Sequence, residues 1–393
     1  MSLASEQNPP MSEPASRANW RSTPFSRWAF RNIRDLFPVA DIGNAAGHPM
    51  ALPARPLTFE PFRLASGTGS SMSLEQVLRA TATDGFVILF DGQLVYEFYD
   101  HGTTAHTPHI VMSASKSVVG LIAGILHGIG NLDVDAPVSH YVPEIAATAY
   151  RGATVRHLLD MRAGIVLDER QLRSYAVATN WEPPVEGETP IGLHTFFENL
   201  TAAGQKPHGG PFSYVSANTD LLGWVIERAT GHKFASLAAE LLWKPMGAEH
   251  AACITVDRDG APRCTGGLCA TTRDFARIGQ LMAMHGSRGG IKVVPSGWID
   301  DITDRGDREA WQQSEFAAFF GGSNMSYRSG WYVINDEPKT LFAMGIHGQN
   351  LFVDRHNRIV IAKLSSQNAA IDVQAMALIH RAVGEIRRCL LGA

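Results

Sequence analysis

The sequence predicts an α/β fold: one mixed antiparallel sheet assembled from both ends of the chain and flanked by helices, with a mainly helical region inserted between. Two strand-rich regions and the helical stretch that separates them lead to this reading. Residues 86–90 (FVILF), the pair Asp91-Gly92 and residues 94–99 (LVYEFY) read as a β-hairpin, because Asp-Gly supplies the positive φ angles of a type I′ turn. Residues 331–333, 341–347, 351–353 and 359–364 are strand-like again near the C-terminus. Residues 113–128, 154–161 and 220–230 lie between and suit helices joined by Gly- and Pro-rich connections. If the end strands share a sheet, the chain cannot be two independent beads, and an inserted helical region is the simplest architecture.

Residues 1–24 are rich in Ser, Pro, Ala and polar groups and read as a flexible N-terminal arm. Trp28, Phe30 and Phe37 then suggest a stretch that packs on something. The expected division places an α/β domain at 25–112 plus 265–393 and a mainly helical domain at 113–264. Residues 113–128 (SASKSVVGLIAGILHG) are apolar nearly all round, as a buried central helix requires. Residues 375–390 read as a closing amphipathic helix, and no internal repeat is found.

Composition narrows the function classes. The 393 residues carry a net charge of -4 and no run of Lys or Arg that could neutralise a row of phosphates, so nucleic acid is a poor partner. No apolar run approaches the length of a membrane span. The first twenty residues lack the apolar stretch of a signal peptide. The four cysteines (Cys253, Cys264, Cys269, Cys389) include no CxxC pair and read as free thiols in a reducing compartment. The expected location is the cytoplasm.

The common hydrolase signatures HExxH and GxSxG are absent, as are a P-loop and GxGxxG. What the chain offers is Ser113-Ala-Ser-Lys116, where i and i+3 share one helix face and the lysine can reach the serine hydroxyl. A serine is a weak nucleophile until a base removes its proton, and a lysine helps when burial lowers its pKa or when it keeps a second base deprotonated. A chance Ser/Lys pair is the alternative. The chain has seven lysines, however, and Lys116 alone follows a Ser by three residues. A lysine in so apolar a segment also needs a reason, since an unpaired buried charge is costly.

Two further constellations follow. Tyr214-Val-Ser216-Ala-Asn218 precedes a helix pattern; a phenol beside a lysine can act as general base and then acid, with Ser216 or Asn218 completing the network. The same residues would also serve as a helix N-cap. Gly345-Ile346-His347-Gly348-Gln349-Asn350 lies at a strand end, where small residues let a substrate approach the backbone and an N–H could form half of an oxyanion hole. His347 there equally suits a purely structural role.

Taken in order, the three motifs resemble those of the penicillin-recognising serine hydrolases: class C β-lactamases, D-Ala-D-Ala peptidases and related carboxylesterases. Residues 130–138 and 154–161 resemble the stretches that follow the nucleophile helix in those proteins. A closer resemblance is to the 6-aminohexanoate-dimer hydrolases, the nylon-oligomer enzymes, in residues 26–30 (SRWAF), 214–220 (YVSANTD), 345–350 (GIHGQN) and 363–366 (KLSS). The resemblance runs from about residue 26 to 390. It implies the β-lactamase fold, with Ser113 as nucleophile, Lys116 and Tyr214 as the base pair, and the backbone N–H groups of Ser113 and Ile346 as oxyanion hole. It also likens Trp181 and Trp331 to the tryptophans that wall that family's cleft, with structural packing the alternative for both.

The departures from that pattern concern amide cleavage. The nylon-dimer enzymes carry a tyrosine that assists the amide leaving group, and ungapped alignment puts Gln171 in its place; Tyr175 is the nearest substitute. The acidic residue that holds the substrate's amino group has Asp168, Glu169 and Glu182 as candidates. Thr265 stands where that family often has Asn or His before Gly266-Gly267. The expected activity is therefore hydrolysis of small carboxylic esters, and of linear amides such as the 6-aminohexanoate dimer, with no metal or organic cofactor. A β-lactamase or cell-wall peptidase and a non-catalytic binding protein of the same fold are the alternatives. A homodimer is the expected assembly.

Overall fold

Asp91 and Gly92 turn the chain with φ of 47° and 79°, and this turn joins the strands Thr83–Phe90 and Gln93–Tyr99 as an antiparallel hairpin. The computed structural model describes residues 14–44, 47, 49–65, 69–201 and 205–392. Thr83–Phe90 pairs on its other side with Ile359–Ser365, so the N-terminal hairpin and the C-terminal strands form one sheet. Its order is Met325–Arg328, Trp331–Ile334, Thr340–Gly345, Gln349–Asp354, Ile359–Ser365, Thr83–Phe90 and Gln93–Tyr99, antiparallel throughout.

The two-residue side-chain period explains why the central strands are apolar along their whole length. Val87, Leu89, Val360 and Ala362 face the core shared with the central helix. Phe86, Ile88, Ile359 and Ile361 face the other core, where Ile379, Val383 and Ile386 of the closing helix Val373–Leu391 cover them.

The central α-helix begins two residues later than the sequence suggests. Met112–Ala114 form a 3-10 turn, and the α-helix runs Ser115–Gly128, buried from Ser115 to Leu126. Its glycines permit close approach: a Cβ on Gly120 would lie 1.9 Å from the Ser329 carbonyl oxygen, and one on Gly124 would lie 2.2 Å from the Trp298 ring. A second sheet, ordered Val39–Ile42, Ala252–Thr255, Leu268–Ala270 and His109–Ile110, leads directly into Ser113. The pairing of Ala252–Thr255 with Leu268–Ala270 crosses the division expected at 264/265. No described helix is long and apolar enough to cross a membrane.

The arm expected at 1–24 needs correcting over its second half, while residues 1–13 lie outside the described residues. Trp20 is 1% exposed, with its ring 5.0 Å from Phe37, 5.8 Å from Phe30 and 5.1 Å from Trp181. Its indole N–H donates to the Trp181 carbonyl at 3.3 Å. Composition alone misread this segment because one buried aromatic outweighs many polar neighbours. Trp20→Ala should cost about 3–5 kcal/mol in urea unfolding, as large aromatic truncations do; an unchanged midpoint would mean that the segment is not docked.

Candidate active site

The sequence places a lysine three residues after Ser113, and the helical turn brings the two side chains together: Lys116 Nζ lies 3.0 Å from Ser113 Oγ. Lys116 is 3% exposed. Its Nζ also donates to the Thr265 carbonyl at 3.0 Å, and it sits 4.8 Å from the centre of the Tyr214 ring. Burial pushes the Lys116 pKa well below the ordinary lysine range, and the nearby Arg263 guanidinium lowers it further, against the pull of Asp220. Both effects favour the neutral amine more than water does.

Tyr214 meets the pair from the loop that precedes the helix Ala217–Thr230. Burial pushes its phenol up to about 12; hydrogen bonding with the Ser113 and Ser216 hydroxyls and the charge of Arg263 act in the opposite direction. Burial favours the protonated phenol over the phenolate. Ser216 lines the cleft but does not cap its helix, so the N-cap role is not taken.

A buried ion pair anchors this cluster, and sequence reasoning missed it. Arg263 bonds Asp220 and the Tyr175 hydroxyl, and Tyr175 donates to Asp220 Oδ2 at 2.5 Å. The other carboxylate oxygen, Asp220 Oδ1, accepts from the Thr265 amide at 2.8 Å. Asp220 therefore holds the very segment whose carbonyl receives Lys116. The Thr265 hydroxyl bonds the Ser216 carbonyl, which closes the ring of contacts. The only sequence-level hint was the presence of charged residues within apolar surroundings.

The third motif is a tight backbone contact. A Cβ on Gly345 would lie 2.6 Å from the Val111 carbonyl oxygen and 3.0 Å from the Ser113 amide nitrogen, so only glycine lets the strand Thr340–Gly345 lie against the turn that carries Ser113. Met112 just before the serine is held at φ 49°, a left-handed conformation that costs energy in a non-glycine residue. Ile346 lines the cleft beside Ser113. His347 takes its structural role: it is buried, its Nδ1 pairs with the Gln367 carbonyl at 2.7 Å and its ring packs 5.1 Å from Phe30. Lys363 supports the same loop, with Nζ donating to the Gly348 carbonyl at 3.2 Å.

Ser113 opens onto a cleft of about 490 Å³. Trp181 and Thr265 line it as expected, and so does Arg263. Much of the remaining wall is apolar, made by Phe316, Phe319, Met344 and Met376, while Arg21, Glu315, Asn350, Gln367 and Asp372 add polar and charged groups. Trp331 does not line it: fully buried, it donates to the Ser117 carbonyl at 3.2 Å behind the central helix, and its neighbour Tyr332 faces the cleft instead. This follows from strand alternation, which the sequence does not orient. Asn218 is also remote from the cleft, accepting from the Tyr150 hydroxyl at 3.0 Å.

Neither substitute for the missing leaving-group tyrosine reaches the cleft. Gln171 caps its own helix, with its amide N–H donating to Asp168 Oδ1 at 2.7 Å and its side chain accepting from the Asp168 amide at 3.0 Å. Tyr175 is committed to Asp220 and Arg263. Asp168 is occupied as that cap, Glu169 is exposed in the first turn, and Glu182 pairs with Arg21 and Arg173 at 2.7 and 3.0 Å.

Comparisons with known proteins agree with this architecture. Residues 64–384 match the family model described as Beta-lactamase. The chain is 34% identical over 354 residues to the 6-aminohexanoate-dimer hydrolase of Paenarthrobacter ureafaciens, covering 88% of this chain and 87% of that one. A solved structure from Bacillus anthracis, to which 6-aminohexanoate-dimer hydrolase activity is ascribed, superposes with a TM-score of 0.88 at 26% identity, covering 97% and 99% of the two chains. A D-stereospecific amidohydrolase from a Streptomyces species shares the fold at a TM-score of 0.59 and 18% identity, covering 77% of this chain and 96% of its own.

Gly345→Ala tests the close contact. The added methyl should lower kcat about 10²-fold by displacing the strand from the Ser113 turn, with circular dichroism unchanged. Full activity in a folded variant would show that the contact is unimportant.

Proposed function

We propose a mechanism from one premise: the chain belongs to the beta-lactamase family and is a serine hydrolase acting on amide or ester bonds. Ser113 is the nucleophile and is acylated in the cycle. The observation that carries this is the 3.0 Å contact between its hydroxyl and a buried lysine amine. Lys116, as the free amine, takes the proton as Ser113 Oγ bonds the substrate carbonyl carbon. The backbone N–H groups of Ser113 and Ile346 receive the oxyanion. Collapse breaks the bond to the leaving group, which takes a proton from the Tyr214 phenol; the Lys116 ammonium then restores that proton through Ser216 and solvent. Water attacks the acyl-enzyme with its proton passing to the same amine; collapse then breaks the bond between the acyl carbon and Ser113 Oγ, the Lys116 ammonium returns the proton to that oxygen, and the acid leaves. No step requires a metal or organic cofactor.

The substrate class we infer is small carboxylic esters with a linear, apolar acyl or alcohol part, and linear amides such as 6-aminohexanoate dimer more slowly. The apolar wall of Phe316, Phe319 and Met344 supports the first half. The commitment of Tyr175 to Asp220 supports the second, because an amine leaves only when it is protonated and Tyr175 has no free hydroxyl to add to the single donor, the Tyr214 phenol.

Mass spectrometry after incubation with p-nitrophenyl acetate and with the aminohexanoate dimer tests the reading. An acetyl group on the peptide containing Ser113 is expected, lost in Ser113→Ala; labelling elsewhere, or none at all, would sink it. Lys116→Arg distinguishes the roles of the base. Since burial holds the Lys116 pKa below its unfolded value, the working amine is present above that lowered pKa and lost as the pH falls through it, so kcat/KM should decline on the acid side. An arginine is protonated throughout, and the variant should lose about 10²-fold or more at every pH. Near-normal turnover would remove the amine from the mechanism.

A further inference from the structure

Two loops that flank the second sheet bring together a set of side chains used neither by the cleft nor by the core. His106 lies in the loop before the strand His109–Ile110, and Glu249 and His250 lie before Ala252–Thr255. Both strands pair with Leu268–Ala270. His106 Nδ1 and His250 Nε2 are 3.0 Å apart, and a Glu249 carboxylate oxygen completes a set of ligand atoms all within 4.8 Å of one another.

We propose that His106, Glu249 and His250 form a binding site for one first-row divalent cation, with zinc the best fit. Two imidazole nitrogens on a tetrahedral zinc, at bonds of about 2.0–2.1 Å, stand about 3.3 Å apart, close to the spacing already present. Two nitrogens and one carboxylate oxygen with remaining positions open to water suit zinc better than calcium or magnesium, which prefer all-oxygen sets.

The surroundings are arranged as such a site requires. A ligating histidine ordinarily directs its second ring nitrogen at a carboxylate that orients it. His250 Nδ1 is buried, makes no hydrogen bond and lies 3.6 Å from Asp274 Oδ2. Asp274 is fully buried and fixes this corner, accepting from the amides of Glu249 and His250 at 2.7 and 3.0 Å. Arg277 holds one Glu249 oxygen at 3.2 Å, which leaves the other for the cation, and it also pairs with Asp274 at 2.9 Å. Glu97 and Arg273, paired at 2.8 Å, complete the charges nearby. The three carboxylates outnumber the two guanidinium groups by one, so the pocket receives a cation without net repulsion.

Bound there, the cation would cross-link the loop that leads into the Ser113 turn to the loop that leads into the neighbouring strand. Its role is structural, since none of the three ligands lines the catalytic cleft. This inference stands apart from the hydrolase mechanism.

The test is calorimetric titration of the full chain, stripped with EDTA, with zinc chloride alone, paired with thermal melts. One saturable equivalent per chain and a Tm raised by a few degrees are expected, with Ser113→Ala titrating like the wild type. His106→Ala, at an exposed position that folding should tolerate, and His250→Ala should each weaken binding on the order of 10–100-fold or more. Circular dichroism checks their fold. No saturable binding by the wild type, or an unchanged affinity in folded His106→Ala, would overturn the site.

Discussion

The desolvated amine of Lys116 is the constraint around which the rest of this molecule is organised. A lysine in water is an ammonium and cannot take a proton; burial beside Ser113 and the nearby Arg263 charge lower the pKa of this one and so favour the amine. Burial alone would leave its N–H groups unsatisfied, so the fold supplies the Thr265 carbonyl at 3.0 Å and the Tyr214 ring face. The Arg263–Asp220 pair is what keeps those acceptors in position. It orders the Thr265 segment through the Asp220 contact, and it adds a positive charge near the amine without competing for the serine. A buried ion pair contributes little to stability by itself. Here its value lies in location.

Positioning of the reacting groups rests on the sheet rather than on the helices. The strand Thr340–Gly345 brings glycine against the Ser113 turn, and the loop after it is held by His347, Gln367 and Lys363. Lys363 is fully buried beneath this loop, and burial lowers its pKa to about 7 against the pull of Asp84. Because the strands from the two chain ends hydrogen-bond to each other, the geometry around Ser113 cannot form until both ends of the chain have docked. The Trp20 cluster extends the same logic to the N-terminal segment, which reaches the Trp181 wall of the cleft.

Legibility in the sequence followed the range of the interaction. The Asp91-Gly92 hairpin, the apolar central helix and the Ser113–Lys116 contact are local, set by turn chemistry and by the i, i+3 helical period, and each could be read from adjacent residues. The Tyr214 loop and the Gly345 strand end could be named from their residue types but not placed. Several readings that depend on which way a side chain points failed. Trp331 and Tyr332 are neighbours of similar character, and strand alternation sends the tryptophan behind the helix and the tyrosine to the cleft. Asn218 and Gln171 sit within motifs yet serve a buried hydroxyl and a helix cap.

By itself, then, the sequence determined the class of sheet, the helix at its centre and the identity of a serine–lysine pair, because local backbone preference and short-range spacing suffice for those. The tertiary structure decided the burial of that pair, the commitment of Tyr175 to Asp220 and the largely apolar lining of the cleft. These depend on solvent exclusion and on contacts between residues tens to hundreds of positions apart. A linear pattern does not record how deeply a group is buried or which charge faces it.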